Sequence, residues 1–542
     1  MFRIGIDFDN TIVCYDRLFP KIASDLGLVK DAVFSSKNDV KAHLLQQKSG
    51  DLTWQKLQGQ VYGKYMLQSD IFHEFHEFLY LSKQRGVHLY IVSHKSEFGH
   101  FDEEKISLRQ QALNWLKQQE IVGTDRWSIS ENNIFFESTR KDKIERIKSL
   151  ECTHFIDDLQ VVLMDKNFPN IQKLWFNPDP PSLTEESINN FQSWRQITNY
   201  LYHSWEEKDI VELTQHKFPY LNIEKVLLQK GQGNSKIYKL LSSQKKYILK
   251  IYPDRQIDVR PRLETESLAY QTLCSQKYPV PECVILDSRL GWGIYSWING
   301  QSVEQVDQVF LSHVFDFVRR LLKDSRSQAE QLSQVFSKAS EACLSGSELI
   351  RQIETRRKKL TSVNSEMLQS FLNENFDPYF QSLSIEVKCK HFFAESLPQS
   401  LQILSPADFG SHNAIKVNEK QFIFLDFEYF GWDDPVKLVS DFYWHPAMNL
   451  SPTFKNEWLD FAKSLFIDDD SFHERLNAYL PLYGLRWCLI LLNEFLEDKL
   501  QHRLHAQVSS LEPKCSQDIA NLQHRQLNKA KNLLAIIKEM PV

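Results

Sequence analysis

Residues 404–441 read LSPADFGSHNAIKVNEKQFIFLDFEYFGWDDPVKLVSD, and this stretch decides how the second half of the chain folds. Its apolar runs NAIKV and FIFL flank the polar turn NEK, a pattern that predicts a β-hairpin. Asp408 stands five residues before Asn413, and Asp426 follows Asn413 by thirteen residues, at the end of the second run. An Asp–Asn pair on one tight loop and an Asp at the end of a neighbouring strand can meet at one metal–phosphate centre. The spacing therefore predicts machinery for phosphoryl transfer.

The whole string resembles the aminoglycoside phosphotransferase/choline kinase-like family, a branch of the protein-kinase-like fold. That family reads H-G-D-x-x-x-x-N, then I-D-F/W-E, then G-D-P and a further Asp. The resemblance implies that Asp408 is the catalytic base for a substrate hydroxyl and that Asn413 and Asp426 hold Mg2+. The chain departs from the family at Pro406–Ala407, where the family has His–Gly, and a β-hairpin with surface acids is the alternative. The matching residues are Asp408, Asn413, Leu425–Glu428, Asp434–Pro435 and Asp441.

A glycine-rich loop lies between two strand-like runs at residues 227–240. Glycines allow backbone N–H groups to approach phosphates closely, although a plain hairpin turn explains the same pattern. The resemblance implies that this loop binds ATP through Gly231, Gly233, Asn234 and Ser235.

Two further segments of this half carry expected nucleotide contacts. Lys250 lies in the apolar run YILKIY and matches the lysine that pairs the ATP phosphates. Glu266, in the next helical pattern, matches the ion-pair partner of that lysine, and Glu264 is the alternative. The segment GIYSWING resembles the strand and hinge against which adenine stacks, and there Ser296 to Ile298 would supply backbone hydrogen bonds.

The N-terminal run Phe2–Ile6 predicts a strand that leads into the pattern D-x-D-x-T, which ends at Thr11. Carboxylates at the carboxyl end of a central parallel strand sit in the crevice where open α/β sheets bind ligands. The pattern resembles the haloacid dehalogenase (HAD) superfamily. The resemblance implies that Asp7 is a catalytic nucleophile that forms an aspartyl-phosphate, and that Asp9 is the catalytic acid and base of a phosphatase. It also implies an Mg2+ site made by Asp7, Asp9 and Asp157.

The other HAD motifs follow in the family's order. Ser93 ends the buried-strand run VHLYIV and is expected to bind phosphate. Lys141 opens a helical pattern and is favoured as the phosphate-neutralising lysine, with Lys143 as the close alternative. Asp157 follows the next strand and is favoured over Asp158 as the metal ligand. Each fragment alone also fits an ordinary turn or helix start, so the prediction rests on their order.

Helical patterns and breaker residues divide the chain. Residues 15–76 are mostly helical and stand where HAD proteins insert a cap, which excludes water from the site. The predicted architecture is an α/β Rossmann-like HAD domain over 1–203, a polar linker over 204–218, and an α+β protein-kinase-like two-lobed domain over 219–542, with an N-lobe over 219–300 and a C-lobe over 301–542.

Composition narrows the class of protein. The chain has 542 residues with a net charge of −6, so it carries no electrostatic footprint for nucleic acid. No apolar run is long enough to span a bilayer. The eight cysteines form no C-x-x-C pair, which is typical of reduced, cytosolic proteins. The N-terminus lacks the pattern of a signal peptide, and we expect a cytoplasmic location.

These patterns together predict a bifunctional enzyme. An ATP-dependent kinase that phosphorylates a hydroxyl of a sugar or amino-alcohol is fused to a Mg2+-dependent phosphatase that acts on a phosphorylated small molecule. The expected cofactors are ATP and Mg2+, and no nucleic acid or membrane partner is expected. The alternative is that only one domain is catalytic and the other is a degenerate nucleotide- or phosphate-binding module. The acceptor, the phosphatase substrate and the oligomeric state stay open.

Overall fold

The chain divides into two compact units, called unit 1 and unit 2 below. Unit 1 comprises Met1–Val226, Pro253–Val259 and Arg289–Gly291, and unit 2 comprises Leu227–Tyr252, Arg260–Ser288 and Trp292–Val542. The computed structural model of the protein describes residues 2–29, 34–99, 101, 104–178, 188–202, 205–229, 235–253, 258–496 and 516–540, the last without the side chains of 516–518.

The regular elements alternate between strands and helices in unit 1 and are mainly helical in the later part of unit 2. The strands are β1 (Arg3–Ile6), β2 (Val13–Cys14), β3 (Asp70–Ile71), β4 (His88–His94), β5 (Ile134–Glu137), β6 (His154–Asp157), β7 (Gln172–Phe176), β8 (Asn189–Phe191), β9 (Ile223–Gln229), β10 (Lys236–Ser242), β11 (Lys246–Ile251), β12 (Cys283–Asp287), β13 (Trp292–Ser296), β14 (Gln301–Ser302), β15 (Ile403–Ser405), β16 (Ala414–Asn418), β17 (Gln421–Phe424) and β18 (Gly431–Asp433). The helices are α1 (Leu18–Asp25), α2 (Lys37–Leu45), α3 (Gly50–Tyr62), α4 (Phe75–Gln84), α5 (Leu108–Gln118), α6 (Arg140–Ser149), α7 (Gln160–Leu163), α8 (Trp194–Tyr202), α9 (Glu207–Lys217), α10 (Arg262–Ser275), α11 (Gln308–Ser327), α12 (Ala329–Val335), α13 (Gly346–Lys359), α14 (Glu366–Ser370), α15 (Asp377–Lys388), α16 (Pro435–Trp444), α17 (Pro452–Leu465), α18 (Phe472–Leu491) and α19 (Ser516–Lys538).

Unit 1 is built on a parallel six-stranded sheet with the strand order β5-β4-β1-β6-β7-β8. The central strand β1 pairs with both β4 and β6, and Ile6 lies opposite Ile91 and Ile156. Gly5 is needed here because a Cβ would lie 2.5 Å from the ring of Phe155. Parallel neighbours end at the same edge of a sheet, so the residues that follow β1, β4 and β6 meet there.

The described residues of the predicted cap, 15–76, are mostly helical, as expected. Helices α1, α2 and α3 pack against one another, and the rings of Phe19 and Trp54 stack with centroids 4.9 Å apart. The short antiparallel ribbon of β2 and β3 pairs Val13 with Ile71. The segment therefore leaves the sheet just after β1 and returns just before α4.

The predicted polar linker over 204–218 contains helix α9, which belongs to unit 1. Glu206 and Asp209 form a capping box at the start of α9, in which the Glu206 N–H donates to Asp209 Oδ2 at 2.9 Å. The same carboxylate accepts from Arg85 at 3.2 Å, while Ile210 and Leu213 are buried. A polar sequence forms a packed helix here because its few apolar residues and one buried acid share a face.

Unit 2 contains the strands β12, β13, β11 and β10, which pair in this order and antiparallel, and helix α10 contacts β12 and β13. Lys250 on β11 lies opposite Ile237 on β10 and Gly293 on β13. Helix α10 buries Glu266 and Leu273 on one face, seven residues apart as helical periodicity requires. A buried lysine on a strand and a buried glutamate on the helix against that sheet are thereby placed close together.

The later part of unit 2 is mainly helical, with α18 packed against α13, α16 and α19. The hairpin of β16 and β17 pairs Ala414 with Phe424, which confirms the hairpin predicted around the polar turn. Within the part of the chain that the structure describes, no helix is both long enough and apolar enough to cross a membrane.

Candidate functional sites

Two aspartates lie at the edge of the parallel sheet in unit 1. Asp7 follows β1, where its N–H donates to the Ile156 carbonyl at 2.9 Å, and Asp157 ends β6. Both carboxylates are buried. The Lys143 Nζ atom lies 2.6 Å from Asp7 Oδ1 and 2.7 Å from Asp157 Oδ2. Residues from three distant segments thus form one buried ion cluster.

The lysine of this cluster is Lys143, whereas the sequence favoured Lys141. Helix α6 starts after Thr139, whose hydroxyl accepts the N–H of Asp142 at 3.1 Å. Residues two apart lie about 200° apart around a helix, so they face opposite sides. The helix therefore buries Lys143 together with Ile147 and leaves Lys141 exposed. The structure does not bring Lys141 to the site.

A second buried lysine holds the carboxylate of Asp9. The Lys95 Nζ atom lies 3.0 and 2.8 Å from its two oxygens, and the Tyr15 hydroxyl donates to Asp9 Oδ1 at 2.5 Å. Ser93 is buried near the end of β4, on the strand next to β1. Sequence reasoning missed Lys95, although its place directly after a strand that ends at the same sheet edge is a usable signal.

Burial and neighbouring charges shift the protonation of this cluster. Burial raises the pKa of Asp7 to about 6, which the positive charge of Lys143 opposes and the negative charge of Asp157 reinforces. Burial also raises the pKa of Asp158 well above its usual range, and the charge of Asp7 adds to this. Burial acts to lower the pKa of Lys143, but the two adjacent carboxylates outweigh it and raise that pKa. Lys143 is therefore a cation at neutral pH.

The carboxylates of unit 1 fit a magnesium ion. One oxygen each of Asp7, Asp157 and Asp158 lie within 4.8 Å of one another. Such hard oxygen atoms are the ligands that Mg2+ prefers. The carboxylate of Asp9, which the sequence also assigned to the metal, is turned to Lys95 instead. The structure therefore places the Asp9 side chain outside this group of oxygens.

Lys250 is the centre of the corresponding cluster in unit 2. Its Nζ atom lies 2.7 Å from Glu266, 2.6 Å from Asp426 and 2.9 Å from Glu428. Burial acts to lower the pKa of Lys250, but these carboxylates hold it well above its ordinary value. The Tyr270 hydroxyl donates to Glu266 at 2.8 Å. Glu266, and not the alternative Glu264, is thus the partner of the lysine.

The hairpin brings Asp426 next to Asn413. The Leu425 N–H donates to the Asn413 carbonyl at 2.8 Å, which ties the residue before Asp426 to Asn413. Asp426 itself has a left-handed backbone with φ 65°, and its N–H donates to the Tyr270 hydroxyl at 2.8 Å. A strained backbone of this kind persists only where surrounding contacts hold it, as at binding sites.

The acids around Lys250 also offer oxygen ligands. One oxygen each of Glu266, Asp426 and Glu428 lie within 4.8 Å of one another. Burial raises the pKa of Asp426 to about 7, although the charge of Lys250 opposes it. Carboxylate oxygens of this kind suit Mg2+.

Asp408 lies on the loop after β15, as the spacing predicts. The Asn413 side-chain amide donates to the Asp408 carbonyl at 2.9 Å, so the two residues close one tight loop. Ala407 has a left-handed φ of 66°. The phosphotransferase family that this stretch resembles has glycine at this position, and glycine adopts that backbone without a steric cost. The loop keeps its shape here with an alanine.

Two histidines that sequence reasoning missed contact Asp408. His412 Nε2 lies 2.9 Å and His445 Nε2 lies 3.5 Å from Asp408 Oδ1, and the two rings stack with centroids 3.9 Å apart. Burial acts to raise the pKa of Asp408, but the hydrogen bond and charge of His412 leave it lowered. Burial lowers the pKa of His445 to about 4, so that ring is neutral at pH 7. His412 stands inside the predicted loop, whereas no sequence pattern links His445 to it.

The glycine loop is only partly described. Ser235 is buried, and its hydroxyl has no hydrogen-bond partner among the described residues. The predicted ATP contacts Gly231, Gly233 and Asn234 lie outside the described residues.

The predicted hinge uses most of its N–H groups within the sheet. The Ser296 N–H donates to the Glu282 carbonyl at 3.0 Å, and the Trp297 N–H donates to the Lys246 carbonyl at 3.3 Å. Those two donors are therefore occupied within the protein, and the adenine contacts of Ser296 to Ile298 stay a prediction. Ile298 follows β13 and is half-buried.

Comparisons with known proteins concern only part of the chain. No protein-family model matches it, and no curated protein matches it. A spectinomycin phosphotransferase solved with ADP and spectinomycin matches at 11% identity and a TM-score of 0.43, over 62% of this chain and 99% of its own. A choline kinase from Streptococcus pneumoniae matches at 14% identity and a TM-score of 0.39, over 60% and 98%. A Plasmodium vivax ethanolamine kinase matches at 14% identity and a TM-score of 0.39, over 62% and 89%. Similarity at this level does not identify a substrate.

Proposed function

We propose that the chain is a bifunctional phosphoryl-transfer enzyme. Unit 2 is an ATP-dependent kinase for a hydroxylated small molecule, of the aminoglycoside phosphotransferase type, and unit 1 is a Mg2+-dependent HAD-type phosphatase. One observation carries the proposal: each unit gathers distant acids around one buried lysine. Lys143 and Asp7 are 136 residues apart, and Lys250 and Asp426 are 176 residues apart, yet each pair lies at 2.6 Å. Surface acids on an ordinary hairpin would not converge in this way.

In the kinase, Lys250 binds ATP phosphates and Glu266 holds the lysine in place. Asp408 accepts the proton of the acceptor hydroxyl as that oxygen attacks the terminal phosphorus, the bond from this phosphorus to the bridging oxygen breaks, and ADP leaves. His412 orients the carboxylate of Asp408. Mg2+ would be held by Asn413 and Asp426, and when bound it neutralises phosphate charge.

The kinase assignment is tested with Asp408→Ala. Removal of one well-placed electrostatic group costs about 3 kcal/mol, so we expect ATP-dependent phosphorylation of a hydroxylated acceptor to fall about a hundredfold or more. Binding of ATP, followed by thermal shift, should persist because Asp408 faces the acceptor. The exposed Glu419 on the same hairpin provides the control, Glu419→Gln, which should keep full activity. Phosphorylation at the wild-type rate by Asp408→Ala would refute this role.

In the phosphatase, Asp7 attacks the phosphorus and the bond to the leaving oxygen breaks. Asp9 gives a proton to the leaving oxygen and later takes one from the water that cleaves the aspartyl-phosphate. Lys143 balances negative charge on the phosphoryl group. Mg2+ would be held by Asp7, Asp157 and Asp158, and when bound it stabilises charge on the phosphoryl oxygens.

The phosphatase assignment is tested by hydrolysis of p-nitrophenyl phosphate in the presence of Mg2+. The Asp7→Asn variant keeps the shape of the side chain and removes the nucleophile, so we expect the rate to fall at least about a thousandfold. Asp51, an acid in the helical segment that the site does not use, provides the control variant Asp51→Asn. Equal rates in Asp7→Asn and wild type would exclude the aspartyl-phosphate route.

A second candidate function is that one unit only binds its ligand. Two features favour this interpretation for unit 2. Pro406–Ala407 stands where the family has His–Gly, and three carboxylates already pair with Lys250. Hydrolysis of p-nitrophenyl phosphate and the thermal shift with ATP, each with and without Mg2+, separate the possibilities. Binding of ATP without transfer to any hydroxylated acceptor would favour a nucleotide-binding module.

A further inference from the structure

A third lysine of unit 1 lies beside the nucleophile loop, and neither mechanism uses it. Lys37 is the first residue of helix α2, in the predicted cap segment. Its Nζ donates to Asn10 Oδ1 at 2.8 Å, and Asn10 stands three residues after Asp7. The left-handed backbone of Asn10, with φ 56°, shapes the turn that directly follows the nucleophile. The cap segment thus places a cation at the turn that follows Asp7.

Aromatic rings fix the position of this cation. The Lys37 Nζ atom lies 5.6 Å from the ring centroid of Tyr15, 5.5 Å from that of Phe19 and 5.6 Å from that of Tyr62. An ammonium at this distance from aromatic faces is attracted by their electron density. The Lys37 N–H also donates to Asp16 Oδ1 at 3.2 Å, which ties the start of α2 to the nearby chain. The head group is therefore held in one place before any ligand arrives.

The positive charge of Lys37 is compensated differently from the charges of the other two lysines, Lys143 and Lys95. Lys143 is neutralised by Asp7 and Asp157, and Lys95 by Asp9. No ion pair joins Lys37 to a carboxylate in the described part of unit 1. Its polar partners there include the neutral side-chain amide of Asn10. Burial acts to lower the pKa of Lys37, but the nearby Tyr62 and the acids of the site raise it, so the group stays charged. A half-buried cation of this kind is suited to an anionic partner from a ligand.

We propose that Lys37 is the specificity-determining residue of the phosphatase and that its substrate is a phosphate monoester with a second anionic group, a phosphate or a carboxylate. The inference rests on the proposed phosphatase function. The phosphate that is transferred has Lys143 for its recognition, together with the Mg2+ that Asp7, Asp157 and Asp158 would hold. Lys37, attached to the cap segment rather than to the sheet, is free to bind the other end of the substrate.

Matched substrate pairs test this inference. The first pair is fructose 1,6-bisphosphate and fructose 6-phosphate, which differ by one phosphate, and the second is 3-phosphoglycerate and glycerol 3-phosphate, which differ by a carboxylate. We expect the wild-type protein with Mg2+ to prefer the doubly anionic member of at least one pair by about tenfold or more in kcat/KM. The pair that shows the preference identifies which anion Lys37 binds.

The variants assign that preference to Lys37. Lys37→Met should reduce the ratio within the preferred pair to below about twofold, and Lys37→Arg, which keeps the charge, should retain it. Lys41 provides the matched control because it lies one turn further along α2, over the ring of Trp54 at 6.0 Å. Lys41→Met should leave the ratio unchanged. A wild-type ratio near one in both pairs, or an unchanged ratio in Lys37→Met, would overturn the inference.

Binding measured without turnover separates this inference from the proposed activity. Calorimetry with the Asp7→Asn variant and the same substrate pairs reports recognition alone. If Asp7→Asn discriminates between the members of a pair and the double variant Asp7→Asn, Lys37→Met does not, the role of Lys37 is supported. This holds even where the wild type hydrolyses nothing, and in that case only the phosphatase proposal fails. Equal binding of both members of each pair by Asp7→Asn would refute the role of Lys37 itself.

Discussion

At the scale of single residues, side-chain direction on a helix decides between chemically equal candidates. Lys141 and Lys143 are two residues apart, as are Glu264 and Glu266. The sequence favoured Glu266, which the structure brings to the site, but it also favoured Lys141, which the structure leaves exposed. Local pattern narrows each choice to two residues, but only packing against the sheet shows which face of α6 or α10 turns inward.

The first prediction uses the lysine pair. Lys143→Met removes the charge that balances Asp7 and Asp157, and it leaves two buried carboxylates unpaired, so we expect hydrolysis of p-nitrophenyl phosphate to fall about a hundredfold or more. Lys141→Met, on the exposed side of the same helix, should change the rate less than about twofold. Circular dichroism and thermal unfolding of both variants show whether the fold is kept. A larger loss in Lys141→Met would reverse the assignment.

The second prediction concerns pH. The pKa of Asp7 rises from 3.8 in the unfolded chain to about 6 in the folded one. Its contribution to stability is therefore complete below pH 3.8 and is lost as the pH rises through about 6, which amounts to about 3 kcal/mol. We expect metal-free wild-type protein to lose stability relative to Asp7→Asn over this interval, when thermal unfolding is followed in EDTA. If the stability of the two proteins changed with pH in the same way, the raised pKa of Asp7 would be contradicted.

The third prediction concerns Ala407. A left-handed backbone costs an alanine about 1 kcal/mol relative to glycine, so Ala407→Gly should stabilise the protein by up to about that amount. Ala414 begins β16 with an extended backbone, φ −136°, and Ala414→Gly should instead destabilise by about 1 kcal/mol. Urea unfolding measures both. Destabilisation by Ala407→Gly would mean that the alanine side chain makes a contact worth more than the strain.

At the scale of elements, the hairpin was predictable and α9 was not. The hairpin has two apolar runs around a polar turn, a local signal that needs no tertiary information. Helix α9 has few apolar residues, and its packing depends on Asp209, whose partner Arg85 is 124 residues away. From the sequence alone such an acid is expected at the surface, because burial of its charge becomes favourable only once the distant arginine is in place.

The fourth prediction tests that element. Asp209→Ala removes both the capping bond at the start of α9 and the partner of Arg85, so we expect a loss of about 2–4 kcal/mol in stability. Lys208, its exposed neighbour, pairs with Glu206 on the surface, and Lys208→Ala should leave the stability nearly unchanged because solvent screens such a pair. Thermal unfolding compares the two. Equal, small effects would show that α9 is held mainly by its apolar face.

At the scale of the whole molecule, the described residues of each cluster belong to one unit. The order of motifs along the chain made the two clusters predictable, since strand ends and the helix that follows them fix which residues meet. His445 at Asp408 and Lys37 at Asn10 were not predictable, because no periodicity connects His445 to a loop 33 residues earlier or Lys37 to a strand end before it.

The fifth prediction follows from this separation. Asp7→Asn should abolish hydrolysis and leave ATP-dependent transfer unchanged, whereas Asp408→Ala should do the reverse. Each product is followed separately, by p-nitrophenol release and by ATP consumption with an acceptor. A variant of one unit that silences both reactions would show that the units depend on one another.

The ammonium of Lys250 has three N–H bonds, and Glu266, Asp426 and Glu428 take all of them. A nucleotide phosphate can reach this lysine only by exchange with one of these carboxylates. Asp426 is the one to leave, because its side chain is 36% exposed while those of Glu266 and Glu428 are 3% and 8% exposed. In the proposed kinase, Asp426 would thus act as an internal competitor for the phosphate position, and its release would free the same carboxylate to bind the incoming ion. Arrival of ATP and assembly of the metal ligands would then be a single coupled event.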